Sequence, residues 1–186
     1  MDALDLMLSR ESALKLESPG PSPAELDQIF ESAVRVPDHG RLRPWHFVVI
    51  NEAQRAAFGT VMATALQRRD PTVSEAELQR ERDKAFRSPV IVVVAAKVRK
   101  GHKIPEIEQI ASASAAAQTI MLAAPALGYG AVWKTGAPAY DPTVKTALGL
   151  TGDDDIIGFL YIGTRMGGSS PIPRPEARNF VTTWMG

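Results

Sequence analysis

Basic and hydroxyl side chains stand at three separated points of this chain. The points are Arg10 with Ser12, the stretch from Arg35 to Arg43, and Trp133-Lys134-Thr135. Guanidinium groups bind phosphate through paired hydrogen bonds, and hydroxyl groups complete the shell around its oxygens. An aromatic residue beside a lysine can flank a planar ring. Together the three points suit a phosphorylated aromatic cofactor better than a hydrolytic triad, and three ordinary surface features are the alternative.

The motifs of several other enzyme classes are absent. The sequence has no G-x-S-x-G, no Walker loop, no H-E-x-x-H and no G-x-G-x-x-G after a strand. His39, His46 and His102 form no pair at helical i, i+4 spacing, so we expect no metal site. The absence of cysteine excludes disulfides, thiolate ligands and cysteine nucleophiles. Gly128-Tyr129-Gly130 indicates the end of a helix rather than a phosphate loop.

Length and charge indicate a small globular protein. Its 186 residues are most simply one domain, residues 1–186. Lys plus Arg and Asp plus Glu both total 21, so the net charge is zero and no nucleic-acid partner is expected. The N-terminus lacks the pattern of a signal peptide, and no apolar run is long enough to span a membrane. We therefore expect a cytoplasmic protein without a membrane partner.

Helical and strand-like patterns alternate along the chain and must position these side chains. Ser22-Pro23-Ala24-Glu25 is a capping box that predicts the start of a helix, and Pro37 predicts its end. The basic loop from Arg35 to Arg43 follows, and Trp45 to Ile50 has the pattern of a buried strand. Such a loop, held by rigid elements, is a typical place for function. A solvated connector is the alternative.

Two apolar runs predict buried strands, and one long stretch predicts a helix. Val90 to Ala96 and Ile156 to Gly163 are continuous runs suited to strands covered on both faces. Ile107 to Leu127 is rich in alanine and serine and predicts a closely packed helix. Pro125 should kink this helix or end it near Met121, because proline clashes with the carbonyl four residues back. Strands interleaved with helices predict an α/β or α+β domain.

Three polar or aromatic stretches complete the pattern. Asp70 to Ser88 is highly charged and contains a capping box from Ser74 to Glu77, so we expect an exposed, mobile helix or lid. Asp141-Pro142 predicts the start of a helix that Gly149 ends. Phe180 to Trp184 is aromatic and strand-like.

The sequence resembles the nitroreductase family of FMN-dependent oxidoreductases, in particular its short YdjA-type subgroup. The matching pieces follow in family order across nearly the whole chain. They are Met1-Asp2-Ala3-Leu4, Arg10-x-Ser12, Arg35-x-Pro37-Asp38-His39, Pro44-Trp45-His46-Phe47, Trp133-Lys134-Thr135-Gly136 and Gly158-Phe159-Leu160-Tyr161-x-Gly163-Thr164.

The resemblance implies an α+β, nitroreductase-like fold. Its central mixed β-sheet is flanked by helices, and the C-terminal strand is exchanged across a homodimer. The implied function is transfer of a hydride from NADH or NADPH through FMN to a nitroaromatic, quinone or similar acceptor. The flavin would carry the chemistry, so no catalytic side chain is expected. One alternative is a protein of this fold that fragments or carries flavin without NAD(P)H turnover, and another is a cofactor-free interaction domain.

The resemblance also assigns the site residues by position. Arg10 and Ser12, with Glu11 between them, would hold the phosphate and ribityl chain, and Arg35 and His39 would reach the flavin from the partner subunit. Trp133, Lys134 and Thr135 would lie along the isoalloxazine edge. The nicotinamide nucleotide is assigned to Ala123, Ala124, Pro125, Ala126, Leu127 and Gly128.

Two residues depart from the family pattern. Glu11 stands where the family has the second basic residue of an Arg-Arg-Ser motif. A carboxylate near a phosphate weakens binding unless it faces away or pairs with an arginine. Lys134 stands where the subgroup often has arginine, which replaces a planar fork of donors by a point charge.

Overall fold

The computed structural model describes residues 2–168 and 173–186, in which helices cover both faces of a five-stranded sheet. The strands are β1 (Leu16–Glu17), β2 (Trp45–Ile50), β3 (Val90–Ala96), β4 (Gly130–Lys134) and β5 (Asp155–Arg165). The helices are α1 (Ala3–Ser9), α2 (Pro23–Ala33), α3 (Arg55–Arg69), α4 (Glu75–Asp83), α5 (Glu106–Ala126), α6 (Ala137–Tyr140) and α7 (Pro142–Ala147). Short 3₁₀ turns span His39–Arg41, Lys84–Phe86 and Ala177–Phe180. Within these described ranges no helix has the length and apolar character needed to cross a membrane.

Strand β5 organises the sheet. It pairs with β3 along one side and with β4 and β1 along the other, and β3 pairs in turn with β2. The α+β class is confirmed. The sheet differs from the predicted mixed sheet, because every pairing among the described residues is antiparallel. A mixed sheet needs a parallel neighbour, and the described part of one chain supplies none.

Two apolar clusters hold the helices against the sheet. Strand β3 is buried at every position, which confirms the prediction that both of its faces are covered. Val92 and Val94 point into a cluster with α2 and α5, whereas Ile91 and Val93 point into a cluster with α3. Burial of one such side chain stabilises the fold by about 1.5–3 kcal/mol.

Helix α5 does not end near Met121, and the prediction that Pro125 stops it there is wrong. The helix reaches Ala126 with Pro125 in its last turn. At that position the missing N–H removes one bond at the frayed end. The Leu127 amide still donates to the Ala123 carbonyl at 3.1 Å, and the Tyr129 amide donates to Ala124 at 2.9 Å. Gly128, with φ of +90°, follows the helix as predicted.

Residues 70–88 contain the predicted helix, α4, and most of their side chains are exposed as expected, while a few buried ones anchor the segment. Mobility of this segment stays a prediction. Leu78 of α4 and Ala85 of the following 3₁₀ turn are buried, and both elements contact α3. A β-carbon on Gly59 of α3 would lie 2.8 Å from the Arg82 carbonyl oxygen, so the two helices touch at this glycine. The predicted capping box, in which Ser74 and Glu77 exchange hydrogen bonds, is confirmed.

The C-terminal residues form no strand within one chain. After the 3₁₀ turn at Ala177–Phe180, residues 181–186 pair with no other described segment. Trp184 is 89% exposed, and Phe180, Val181 and Met185 are exposed with it. A strand requires a neighbouring edge, so exchange of this segment across a dimer stays a prediction.

Candidate functional site

The segment that holds Arg10 and Ser12 lies between α1 and β1 and is fixed to the sheet. The Ala13 amide donates to the Ala131 carbonyl of β4 at 2.9 Å. The close approach depends on Gly130, where a β-carbon would lie 2.8 Å from the Ala13 side chain and 2.7 Å from Leu16 Cδ2. A substitution at Gly130 would therefore push the Arg10–Ser12 segment away from β4.

Glu11 pairs with Arg165, the last residue of β5. The Arg165 guanidinium donates a short, charge-assisted hydrogen bond to the Glu11 carboxylate, and the two side chains are 31% and 16% exposed. Pairing with an arginine is one of the two arrangements in which a carboxylate can lie beside a phosphate, because the arginine neutralises the carboxylate. The departure from the family motif at position 11 is thus compensated at position 165.

Two cavities meet at this ion pair. The first, of about 510 Å³, is lined by Ser12, Lys15 and the Gly167-Gly168 backbone as well as by the pair itself, and we call it the anchor cavity. The second, of about 270 Å³, lies between Arg10, Glu11 and the end of α5, and we call it the helix-end cavity. Hydroxyl and cationic groups therefore surround both spaces, as a phosphate requires.

Further cations surround the segment from Arg10 to Ser12. Lys15 lines the anchor cavity, and Arg174 donates to the Arg10 carbonyl oxygen at 2.5 Å. Because Arg165 is matched by Glu11, the positive charge of Arg10, Lys15 and Arg174 is left to attract an anion. The local field is positive although the net charge of the whole chain is zero.

The segment predicted to bind the nicotinamide nucleotide is only partly accessible. Pro125 and Gly128 line the helix-end cavity opposite Arg10. Ala126 is exposed, and Ala123 and Leu127 are half-buried. Ala124 is fully buried against the sheet and offers no surface to a ligand.

Trp133 and Lys134 lie on opposite faces of the sheet, because successive residues of a strand alternate. Trp133 packs with the α5 cluster, and its indole N–H donates to the Ile157 carbonyl at 3.1 Å. Lys134 instead opens on a cavity of about 260 Å³ with Leu14, Arg87, Val132 and Tyr161, which we call the edge cavity. Thr135 is exposed just beyond it.

The edge cavity adjoins the anchor cavity, since Leu14 lines both. Tyr161 is 3% exposed, and its burial raises the pKa of its hydroxyl to about 12, against the opposing effect of Arg87. The phenol is therefore neutral at physiological pH and can both donate and accept a hydrogen bond.

Arg35 and His39 lie at the other end of α5. His39 Nδ1 is 2.6 Å from Glu108 Oε2 in the first turn of the helix, and the Ser112 hydroxyl donates to the Pro37 carbonyl at 2.8 Å. At a rise of about 1.5 Å per residue, Glu108 is about 25 Å from Pro125. One chain thus brings Arg10, Glu11, Ser12 and Lys134 to neighbouring cavities but does not bring Arg35 or His39 to them.

The loop after His39 has an unusual backbone. Arg41 and Arg43 have φ of +53° and +51°, and no other described residue except glycine has positive φ. The Asp38 carboxylate accepts from the Arg43 amide at 2.7 Å and holds this shape. Left-handed residues other than glycine cost about 1–3 kcal/mol and gather at functional sites.

Sequence reasoning missed Arg165, Arg87 and Tyr161. Arg165 directly follows the predicted strand and the matched Gly163-Thr164 pair, so a basic residue at a strand end was a usable signal. Arg87 precedes the strand β3 in a charged stretch that gave no such signal. Tyr161 appeared only as part of a buried strand, and the pairing of Tyr161 with Val132 places it at the cavity.

Comparison with known proteins gives a consistent result. Residues 8–164 match the family model described as the nitroreductase family. The chain is 39% identical over 186 residues to YdjA of Escherichia coli K12, named as a candidate NAD(P)H nitroreductase, and the match covers 98% of this chain and 99% of that protein.

Solved structures agree in fold. A nitroreductase-like family protein from Bacillus cereus superposes with a TM-score of 0.86 at 21% identity, covering 100% of this chain and 97% of that one. A nitroreductase with bound FMN from Bacteroides fragilis gives 0.73 at 18% identity, covering 98% and 99%. These likenesses confirm the predicted nitroreductase-like fold.

Proposed function

The chain belongs to the nitroreductase family, and on this premise we propose that it is an FMN-dependent NAD(P)H oxidoreductase. Its acceptor would be a nitroaromatic, a quinone or a similar compound. We further propose that it works as a cytoplasmic homodimer and that Arg10, Ser12, Lys134 and Thr135 bind FMN. The printed names of its relatives and the bound FMN of one fold neighbour support the choice of cofactors.

The Glu11–Arg165 pair is the observation that carries this proposal. A lone carboxylate between Arg10 and Ser12 would repel a phosphate, whereas the paired carboxylate leaves Arg10, Lys15 and Ser12 to bind it. The same ion pair joins the segment between α1 and β1 to β5, and the two cavities meet at this pair. The residues present therefore fit a phosphate with a ring extending toward Lys134.

The side chains position the cofactor and its substrates rather than react themselves. When bound, FMN supplies the electron transfer between the nicotinamide and the acceptor. Arg10 and Ser12 would hold its phosphate, and Leu14 would cover the path of the ribityl chain from the anchor cavity to the edge cavity. Pro125 and Gly128, opposite Arg10, would leave room for the nicotinamide nucleotide.

Each site would need a second chain to complete it. Arg35 and His39 lie about 25 Å from Arg10 along α5, so they would reach a flavin held by the partner's Arg10 segment. The exposed apolar residues of α1 and of the C-terminal tail, Leu4, Met7, Leu8, Phe180, Val181, Trp184 and Met185, support burial between two chains.

Purification under native conditions tests the cofactor. We expect a yellow protein from which heat releases FMN, identified by chromatography. Release of FAD, or a colourless protein that takes up no FMN on reconstitution, would contradict the proposal. A cytoplasmic location is tested separately by cell fractionation.

Anaerobic titration tests the reaction. We expect NADH or NADPH to bleach the bound flavin, and a nitroaromatic or quinone to restore its colour. A yellow protein that neither nucleotide bleaches would instead support a flavin-carrying or flavin-fragmenting protein of the same fold.

A further inference from the structure

The edge cavity contains two cations that the rest of the protein does not neutralise. Within the described ranges the side chains of Arg87 and Lys134 form no hydrogen bond or ion pair with the protein, although both residues line the cavity. The buried carboxylate of Glu81, whose charge acts on Tyr161, is paired with Lys84 at 2.5 Å. The cavity is therefore suited to a ligand that carries negative charge or exposes hydrogen-bond acceptors.

The sheet sets the positions of the groups around this cavity. Tyr161 of β5 pairs with Val132 of β4 and with Ile91 of β3, so its side chain lies in the middle of the sheet face. Lys134 is two residues beyond Val132 on the same face. Arg87 lies just before β3, on the other side of Tyr161. The two cations thus flank the tyrosine from neighbouring strands.

Tyr161 adds a group of a different kind. Its ring is buried, yet its hydroxyl forms no hydrogen bond with another described residue. The hydroxyl oxygen itself is not enclosed by the described residues, so it can face a ligand in the cavity. Arg87 and Lys134 can only donate hydrogen bonds, whereas the tyrosine can also accept one. Donors on both sides of an acceptor match the edge of a pyrimidine ring, where two carbonyl oxygens flank an N–H.

We propose that Arg87 and Tyr161, together with Lys134, bind the pyrimidine edge of the flavin ring. The inference rests on the proposed function, because it places FMN with its phosphate in the adjoining anchor cavity. Arg87 and Lys134 donate to the ring's carbonyl oxygens, and Tyr161 accepts from its N–H. At neutral pH the reduced flavin carries negative charge at this edge, so the paired cations favour the reduced form and raise the midpoint potential.

The test compares full-length Arg87→Met with Arg80→Met after both are loaded with FMN. Arg80 is also exposed, but it lies on α4 and lines none of the three cavities. We expect Arg87→Met to lower the affinity for reduced FMN, relative to oxidised FMN, about tenfold. For a two-electron couple this corresponds to a midpoint potential about 30 mV lower in spectroelectrochemical titration. Arg80→Met should match the wild type, and Arg87→Lys should recover most of the shift.

A second variant tests the hydroxyl. Tyr161→Phe keeps the buried ring and should weaken binding of oxidised FMN about three- to tenfold, measured by quenching of flavin fluorescence. If Arg87→Met has the midpoint potential of Arg80→Met, or if Tyr161→Phe binds FMN as the wild type does, the assignment of that residue is wrong. A wild-type chain that binds no FMN would overturn the proposed function itself, which is a distinguishable result.

Discussion

Basic side chains from other segments lie beside both ends of helix α5, but the ion pairs at the two ends differ in burial. At the C-terminal end, Glu11 and Arg165 are 16% and 31% exposed and neutralise each other beside two cavities. At the N-terminal end, His39 and Glu108 form a comparable contact, yet they are 66% and 44% exposed. The left-handed Arg41 and Arg43 follow in the same loop.

This difference shows how a site can be divided between copies of one chain. At the end near Arg10 the Glu11 carboxylate is neutralised by Arg165 and the backbone is tied to β4, so the remaining cations can bind an anion. The end near His39 holds a costly loop shape at Arg41 and Arg43, and its His39 and Glu108 side chains stay largely exposed. We infer that the second end serves a site completed by a partner.

The largest effect should come from deleting residues 180–186. If this exposed aromatic tail covers the partner, its loss should leave a monomer that aggregates and retains no flavin. Size-exclusion chromatography with light scattering, together with the flavin content, measures both effects. Tyr140→Ser is a matched control, because Tyr140 is as exposed as Phe180, at 76%. A yellow, monodisperse monomer after the deletion would contradict the division of the site between chains.

Arg10→Ala should weaken FMN binding by one to two orders of magnitude. The loss of a charge-assisted hydrogen bond to phosphate costs about 1.5–3 kcal/mol. Arg99→Ala serves as the control, since Arg99 is exposed and lines none of the three cavities. Dissociation constants from fluorescence titration compare the two variants. Equal affinities of the two variants would mean that Arg10 does not bind FMN. The C-terminal end of α5 would then not be the phosphate site.

Arg165→Ala should weaken FMN binding about tenfold, because it leaves the Glu11 carboxylate uncompensated beside the phosphate. Glu11→Gln introduced into the Arg165→Ala variant should restore much of the affinity. The double-mutant cycle, measured by the same titration, gives the coupling between the two residues. If the effects of Arg165→Ala and Glu11→Gln on FMN affinity are additive, the Glu11–Arg165 pair does not influence phosphate binding.

Mixed dimers test the division directly. Suppose that each FMN site takes Arg10 from one chain and His39 from the other. A heterodimer of one Arg10→Ala chain and one His39→Ala chain would then have one site with both substitutions and one intact site. Because one of the two sites is intact, we expect about half of the FMN sites to bind with wild-type affinity. If Arg10 and His39 served the same chain's site, both sites would be impaired, and no tight fraction would appear.

The smallest effects concern the hydrogen bonds that tie the ends of α5 to the α2 region. The Tyr129 hydroxyl donates to Glu25 at 2.9 Å at one end, and the Ser112 hydroxyl donates to Pro37 at the other. Tyr129→Phe and Ser112→Ala should each lower the free energy of unfolding by about 1 kcal/mol in urea titrations. Thr60→Ala, which removes an exposed hydroxyl bonded within its own helix, is the control and should change it less. A much larger loss at Ser112 would mean that the His39 end is held more tightly than its exposure indicates.

The sequence alone determined the features that depend on neighbouring residues. Capping boxes at Ser22 and Ser74, the Asp141 cap and the helix ends at Gly128 and Gly149 follow from hydrogen bonds between residues a few positions apart. Strand β3 follows from a run of β-branched residues. The resemblance to the family added the fold and the candidate roles of Arg10 and Ser12.

Only the tertiary structure decided which distant side chains meet. Glu11 and Arg165 are 154 positions apart, and no local pattern predicts that their charges cancel. Arg87 reaches the edge cavity because β3 and β5 pair at Tyr161, and Lys134 faces it while Trp133 does not because of the register of β4. Helix α5 continues through Pro125 because later amides and the packed sheet replace the single lost bond. Contacts of this kind arise from packing over long sequence separations, and local propensity carries no information about them.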